Sequence, residues 1–265
     1  MSTPALTRPR MEVLTGTAPR AAFGQIVRNE VRLALRRPLG LIGGVGLPVA
    51  LLLLFGEIPA FKQVLPSFGG GDIFDAYVPV LMCFGIAMLA LLGLPIPLVS
   101  YRELGVLRRL STTPVPRSWL LAAQGVVQLG TAVITTVVII VIAVTAFGVP
   151  GPKSLGGLVV AFLLATAGLF AIGLLIAAVA QTATAVNVIG RVTFFPLMFF
   201  AGLWLPRALM PSALLDISNF TPLGATVQAV GAAMKTGFPP TQPLLVLAAY
   251  AVVFGYLARR FFRWE

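Results

Sequence analysis

The 265-residue sequence has no histidine, one cysteine and only eight acidic residues, and just 10% of it is charged. Without histidine there can be no Ser-His-Asp triad, no histidine-ligated zinc and no imidazole proton relay. The lone Cys83 leaves no intrachain disulfide and no thiolate metal cluster. Soluble domains are about 45–50% apolar and about 25% charged, whereas this chain is 58% hydrophobic with a mean hydropathy of +0.98. A bilayer is therefore its main solvent. The phosphate cradle G-x-x-x-x-G-K-[ST] is also missing, and Gly151-Pro152-Lys153-Ser154 matches only its end. No acid lies inside an apolar run: Glu57, Asp72, Asp75 and Asp216 fall at ends or loops on one side, and Glu12, Glu30, Glu103 and Glu265 on the other. Proton- or sodium-driven transport usually needs an ionisable group at membrane depth. Any active transport by this chain is expected to draw its energy from another polypeptide.

What is present is a series of apolar runs. Residues 1–20, with Pro4, Pro9 and Pro19, lack periodicity and read as a mobile cytoplasmic tail that is not a cleaved signal. Residues 21–38 place Phe23, Ile26, Val27, Val31 and Ala34 on one helical face with Arg28, Asn29, Arg32 and Arg36 opposite, which predicts an amphipathic helix in the headgroup layer. Within 39–258 the apolar runs predict an all-α membrane domain of six spans near 39–56, 76–100, 119–147, 155–180, 185–205 and 242–258. The patch Gln181-Thr182-Ala183-Thr184 divides the fourth span from the fifth. Residues 206–236 are too long for a turn, yet Asn219, Thr221, Pro222 and Gln228 make a poor lipid-facing helix. Such backbone is tolerated at membrane depth only when protein shields it, so an outer re-entrant segment is predicted there. Residues 259–265 form a short cytoplasmic tail.

Charge sets the orientation. With both termini cytoplasmic, fifteen of the nineteen Lys and Arg residues fall on the inner side and only Lys62, Lys153, Arg207 and Lys235 on the outer side. The net charge of +11 is thereby read as a topology signal for a multi-pass plasma-membrane protein in contact with its lipids. A nucleic-acid partner is not expected.

The most informative inner segment is Tyr101 to Trp119. As a helix over 103–110 it would carry Leu104, Val106, Leu107 and Leu110 on one half and Arg102, Arg108 and Arg109 on the other, until Pro114 and Pro116 stop it. Two readings stay open: a surface helix pinned by anionic lipids, or a helix docking into a groove on a cytoplasmic ATPase. The pattern Arg102-Glu103-x-Gly105-x-Leu107-Arg108-x-Leu110-x-x-Thr113-Pro114 resembles the first inner loop of permease subunits of type-2 ABC exporters, in the drug- and antibiotic-efflux class related to daunorubicin-resistance permeases. A second match is Pro196-Leu-Met-Phe-Phe-Ala-Gly202-x-x-x-Pro206-x-x-x-x-Pro211 followed by Asn219-Phe-Thr-Pro222-Leu, similar to that family's fifth span and outer re-entrant segment. With the amphipathic entry helix and six spans in matching order, the resemblance covers the chain from about Phe23 to Arg260.

The resemblance implies a half-transporter without catalytic residues, metal or cofactor of its own. It would pair with a second copy or a sibling permease and bind a cytoplasmic ABC ATPase that uses ATP and magnesium to export a hydrophobic or amphipathic compound. It assigns the coupling role to Arg102, Glu103, Leu104, Leu107, Arg108, Arg109 and Leu110, and makes the amphipathic helix the connecting helix. The alternatives are an ATP-independent channel or scramblase, or a non-transporting immunity or sensor subunit of the same family.

Glu30 breaks the apolar face of the connecting helix, and desolvating an unpaired carboxylate costs several kcal/mol. It is expected to pair with Arg109 or Arg102, or within its own helix with Arg37. Gln124, Gln128 and Asn187 would line a translocation route or bond helix to helix. Phe195 and Phe199, in a cluster with Phe194, Phe200 and Trp204, would pack against lipid and core or offer substrate an adaptable surface. Arg191, one turn inside the fifth span, is read as snorkelling to the inner headgroups or as facing the pathway. Gly40 and Gly44 are a small-x-x-x-small pair suited to close helix packing.

Overall fold

Polar residues between the apolar runs set where several helices begin. The side chains of Ser154, Thr182 and Thr221 accept hydrogen bonds from the backbone N–H groups of Gly157 (3.0 Å), Ala185 (3.1 Å) and Gly224 (3.1 Å), capping donors that a helix start leaves unpaired. The computed structural model describes residues 19–36, 40, 42–64, 72–106, 116 and 118–261. In chain order the helices are α1 (Pro19–Arg36), α2 (Ile42–Glu57), α3 (Ile73–Glu103), α4 (Ser118–Phe147), α5 (Leu155–Val179), α6 (Ala183–Ala201), α7 (Ser212–Phe220), α8 (Pro222–Lys235) and α9 (Thr241–Phe261). Short 3-10 turns occupy Pro59–Lys62 and Arg207–Leu209. Among the described residues there is no strand, and the one β-type pairing is a bridge between Val64 and Asp72.

Five helices, α3, α4, α5, α6 and α9, are long and apolar enough to cross a bilayer. At 31 and 30 residues, α3 and α4 reach about 45 Å, against about 30 Å of hydrocarbon, so their ends project beyond it. The first apolar run forms α2, a shorter apolar helix between Ile42 and Glu57. α3 does not stop near residue 100, where the apolar run ends, but carries Tyr101, Arg102 and Glu103 on the same helix. The amphipathic segment is helical as α1, and the tail before it lies outside the described residues.

α3 is the axis of the fold. In its most apolar window 83% of residues are buried, against 17% in α9, and α2, α4, α5, α6 and α8 all pack on it. Its middle turn, Leu89–Gly93, is a π-helix, as is the start of α2 at Ile42–Gly46. Such turns loosen the regular ladder and often mark functional positions. Small residues let neighbours press against this turn. A Cβ on Gly190 of α6 would stand 2.8 Å from the Leu91 carbonyl oxygen, and one on Gly173 of α5 would overlap the Ala90 carbonyl oxygen. Gly44 of α2 lies as close to the Leu89 side chain.

Between α6 and α9 the chain turns at Gly202, whose φ of +94° suits glycine, and enters the short helices α7 and α8. α8 is polar for a lipid-facing helix because it faces protein instead. Leu223, Ala225, Thr226, Ala229, Val230 and Ala233 are fully buried, and the helix packs on α3, α5, α6 and α9. The buried Thr226 hydroxyl donates to the Pro222 carbonyl at 2.7 Å, so that hydroxyl needs no water.

Candidate functional site at the Tyr101 end of the bundle

Three consecutive residues at the end of α3 hold three different elements. The Tyr101 hydroxyl donates toward both carboxylate oxygens of Glu30 on α1, at 2.9 and 3.0 Å. The Arg102 guanidinium donates to the carbonyl of Ala180, the residue that ends α5. The Glu103 carboxylate accepts from the backbone N–H of Ala183, the first residue of α6, at 3.3 Å. Each charge thus meets the helix end of opposite sign: a cation at a C-terminus and an anion at an N-terminus, worth about 0.3–1 kcal/mol each. Helical geometry spreads consecutive side chains by about 100°, which is why one turn can reach three neighbours.

Glu30 is 6% exposed. Tyr101 is bonded to it, and Arg102, one of the arginines expected there, turns to α5 instead. The other expected partners, Arg109 and Arg37, lie outside the described residues. A hydrogen bond to a charged group contributes about 1.5–3 kcal/mol, enough to fix α1 against α3. Phe23 of α1 adds an edge-on contact with Trp119 at the start of α4, with ring centroids 5.8 Å apart. Tyr101 escaped the sequence reading because an aromatic at the end of an apolar run looks like an interfacial anchor. Its one signal was position, one residue before Arg102-Glu103.

The helix ends abruptly after Glu103. Leu104 and Gly105 form a turn in which Gly105 takes a φ of +67°, a left-handed conformation. The expected helix over 103–110 therefore does not start at Glu103, which belongs to α3. Leu104 is 70% exposed at the turn, while Leu107, Arg108, Arg109 and Leu110 lie outside the described residues.

Above the junction, Glu30, Tyr101, Gln124, Gln128 and Thr131 line a cleft of about 90 Å³. Gln124, Gln128, Thr131 and Thr135 recur at helical spacing on one face of α4. Gln124 and Gln128 are buried, and Gln124 Oε1 has no hydrogen-bond partner. Thr135 donates to the Gly44 carbonyl at 3.3 Å and the Thr131 carbonyl at 2.9 Å, so this stripe runs from the junction to the π-helical start of α2.

The other expected pathway residues are elsewhere. Asn187 donates to the Ala183 carbonyl one turn back in α6 at 3.0 Å. Phe195, 55% exposed, stacks on Trp204 with centroids 6.0 Å apart, and Phe199 meets Phe200 edge-on at 5.5 Å. α4 and α6 each pack on α3 and barely touch one another. The two sets of residues are therefore not brought together within one chain. Arg191 is exposed on α6.

Among the described residues no group of three or more His, Cys, Asp and Glu side chains converges on a point where a metal could sit. The end of α3 is bonded to α1, α5 and α6 together.

No curated protein matches the chain. The model of the family described as ABC-2 type transporter matches residues 21–235, which run from within α1 to the last residue of α8, and the chain accordingly belongs to the ABC-2 type transporter family, as a multi-pass membrane permease of an ABC transporter whose ATPase lies outside these 265 residues.

Proposed function

We propose that this permease exports a hydrophobic or amphipathic compound, of the drug, antibiotic or lipid-like kind, across the plasma membrane, driven by ATP and magnesium in a separate ABC ATPase. The observation that carries the reading is the Tyr101-Arg102-Glu103 junction: α3 ends in bonds to α1, α5 and α6, directly before the segment with the basic and leucine-rich pattern expected to dock on the ATPase. Arg102 and Glu103 anchor the lever, and Leu104, Leu107, Arg108, Arg109 and Leu110 form the docking surface. Glu30 ties the connecting helix to it.

In this reading α2 is the first of six spans, both termini are cytoplasmic, and α7 and α8 form an outer re-entrant pair. Two permeases, identical or sibling, enclose the pathway. Closure of the ATPase pair pushes the docking segment, and the spans respond by rigid-body tilting. The π-turn of α3, pressed by glycines of three helices, is the joint about which they move. Within the pair, Gln124, Gln128 and Asn187 would offer polar contacts and Phe195 and Phe199 an apolar surface to cargo.

The test is co-reconstitution of the chain with its ATPase in liposomes. Nucleotide-dependent movement of a fluorescent amphiphile, abolished by a hydrolysis-dead ATPase, is the expected result. Equal movement in vesicles containing the chain alone and no nucleotide would point to a channel or scramblase and overturn the proposal.

A further inference from the structure

At the opposite end of the bundle from Tyr101, a cleft of about 270 Å³ opens between α3, the turn after α6, and α8. Its walls are apolar, with Pro79, Val80 and Val227, and it carries two cations, Arg207 and Lys235. Arg207 is the unusual one. Its guanidinium donates to the Ser218 hydroxyl and, at 2.6 Å, to the Asn219 side-chain oxygen. Ser218 is itself fully buried and donates to the Phe200 carbonyl at 2.6 Å. Both arginine partners are neutral, and among the described residues no carboxylate pairs with it. Burial pulls its pKa below the ordinary arginine value, yet arginine stays charged in proteins. A half-buried cation is thus aimed by two hydrogen bonds and, among the described residues, left without a counterion. Lys235 differs, because Asp75 lies within its electrostatic reach.

We propose that this cleft binds the phosphate-type headgroup of an anionic amphiphile, with Arg207 as the principal contact, Lys235 as the second, and the hydrocarbon tail left in the bilayer. The volume supports that division. Pockets enclosing whole drug-sized ligands run to about 300–1,000 Å³, so this one accommodates a headgroup and the first carbons beyond it. Two arginine nitrogens are held by the protein, and the guanidinium's remaining N–H donors suit an oxyanion. The apolar walls favour an anion attached to a chain over a free, fully hydrated one. The proposal narrows the cargo class of the proposed function to anionic amphiphiles, and rests on that reading for its role in export. Binding itself does not depend on it.

Binding is measured on the purified full-length chain in nanodiscs of neutral lipid, by native mass spectrometry, with phosphatidylglycerol, phosphatidylcholine and inorganic phosphate as separate probes. Phosphatidylglycerol is expected to bind at least about tenfold more tightly than phosphatidylcholine, a difference of about 1.4 kcal/mol. Arg207→Gln should remove most of that preference, Arg207→Lys should keep part of it, and Lys235→Gln, at an exposed position outside the packing, should reduce it by about threefold. Lys62→Gln, an exposed cation that does not line the cleft, should leave it unchanged. Equal retention of the two lipids, equal binding of inorganic phosphate, or a Lys62→Gln effect as large as that of Lys235→Gln would each overturn the proposal. A chain that shows the preference yet fails to export in the co-reconstituted system would refute the export reading and leave the site standing.

Discussion

Gly173→Ala is the sharpest perturbation of the helix packing. Its new Cβ would lie 3.0 Å from the Ala90 carbonyl carbon and overlap the carbonyl oxygen, where ordinary contact begins near 3.4 Å. Neither group can rotate away, because the obstacle is backbone in the π-helical turn of a buried helix. α5 and α3 must separate, and overpacking of this kind costs about 1–3 kcal/mol, occasionally more. For a domain of this size that is a fall in melting temperature of roughly 3–10 °C. Gly156→Ala is the control, since the same helix there has nothing within 4 Å of the added atom. It should be neutral or slightly stabilising, because alanine restricts the unfolded chain more than glycine does. The assay is thermal unfolding of the detergent-purified protein, followed by the loss of the monodisperse peak on size exclusion. Equal melting temperatures for Gly173→Ala and wild type would refute the close approach of α5 to the π-turn.

Two neighbouring threonines should answer oppositely. Thr135→Val removes bonds to the Gly44 and Thr131 carbonyls and should cost about 0.5–1.5 kcal/mol in the same unfolding assay, whereas Thr136→Val removes a buried hydroxyl with no partner and should be neutral or stabilising. In a double-mutant cycle, Tyr101→Phe and Glu30→Gln should couple by about 0.5–3 kcal/mol, and additive effects would mean that the contact contributes nothing. Leu104→Asp, at an exposed turn residue, should leave the melting temperature within about 0.5 kcal/mol of wild type but weaken capture of the ATPase in a pull-down. Undiminished capture would exclude Leu104 from the docking surface.

The all-helical, membrane-type fold was legible because apolar runs are one-dimensional features, and Ser154, Thr182 and Thr221, at which helices start, are polar residues between those runs. Glu30 was legible for the same reason, as a charge on the wrong face. Its contact with Tyr101 was not, since that depends on where α3 ends, and apolarity stops signalling before the helix does. The π-turn at Leu89–Gly93 left no trace in composition, being imposed by the glycines of three helices distant in sequence. The cleft at Arg207 was hidden too. Sequence marked that arginine as one of four outer cations, and only the fold sets it beside the neutral Ser218 and Asn219.

The central claim is that the end of α3 conveys the ATPase stroke to the spans. Its most direct test is the number of cargo molecules exported per ATP hydrolysed by the co-reconstituted complex, comparing wild type with the double variant Arg102→Ala/Glu103→Ala. The account expects the ATPase to remain bound and active while export per ATP falls at least about tenfold, as about 1.4 kcal/mol of coupling would give. An unchanged ratio, with both residues removed and the complex intact, would contradict it.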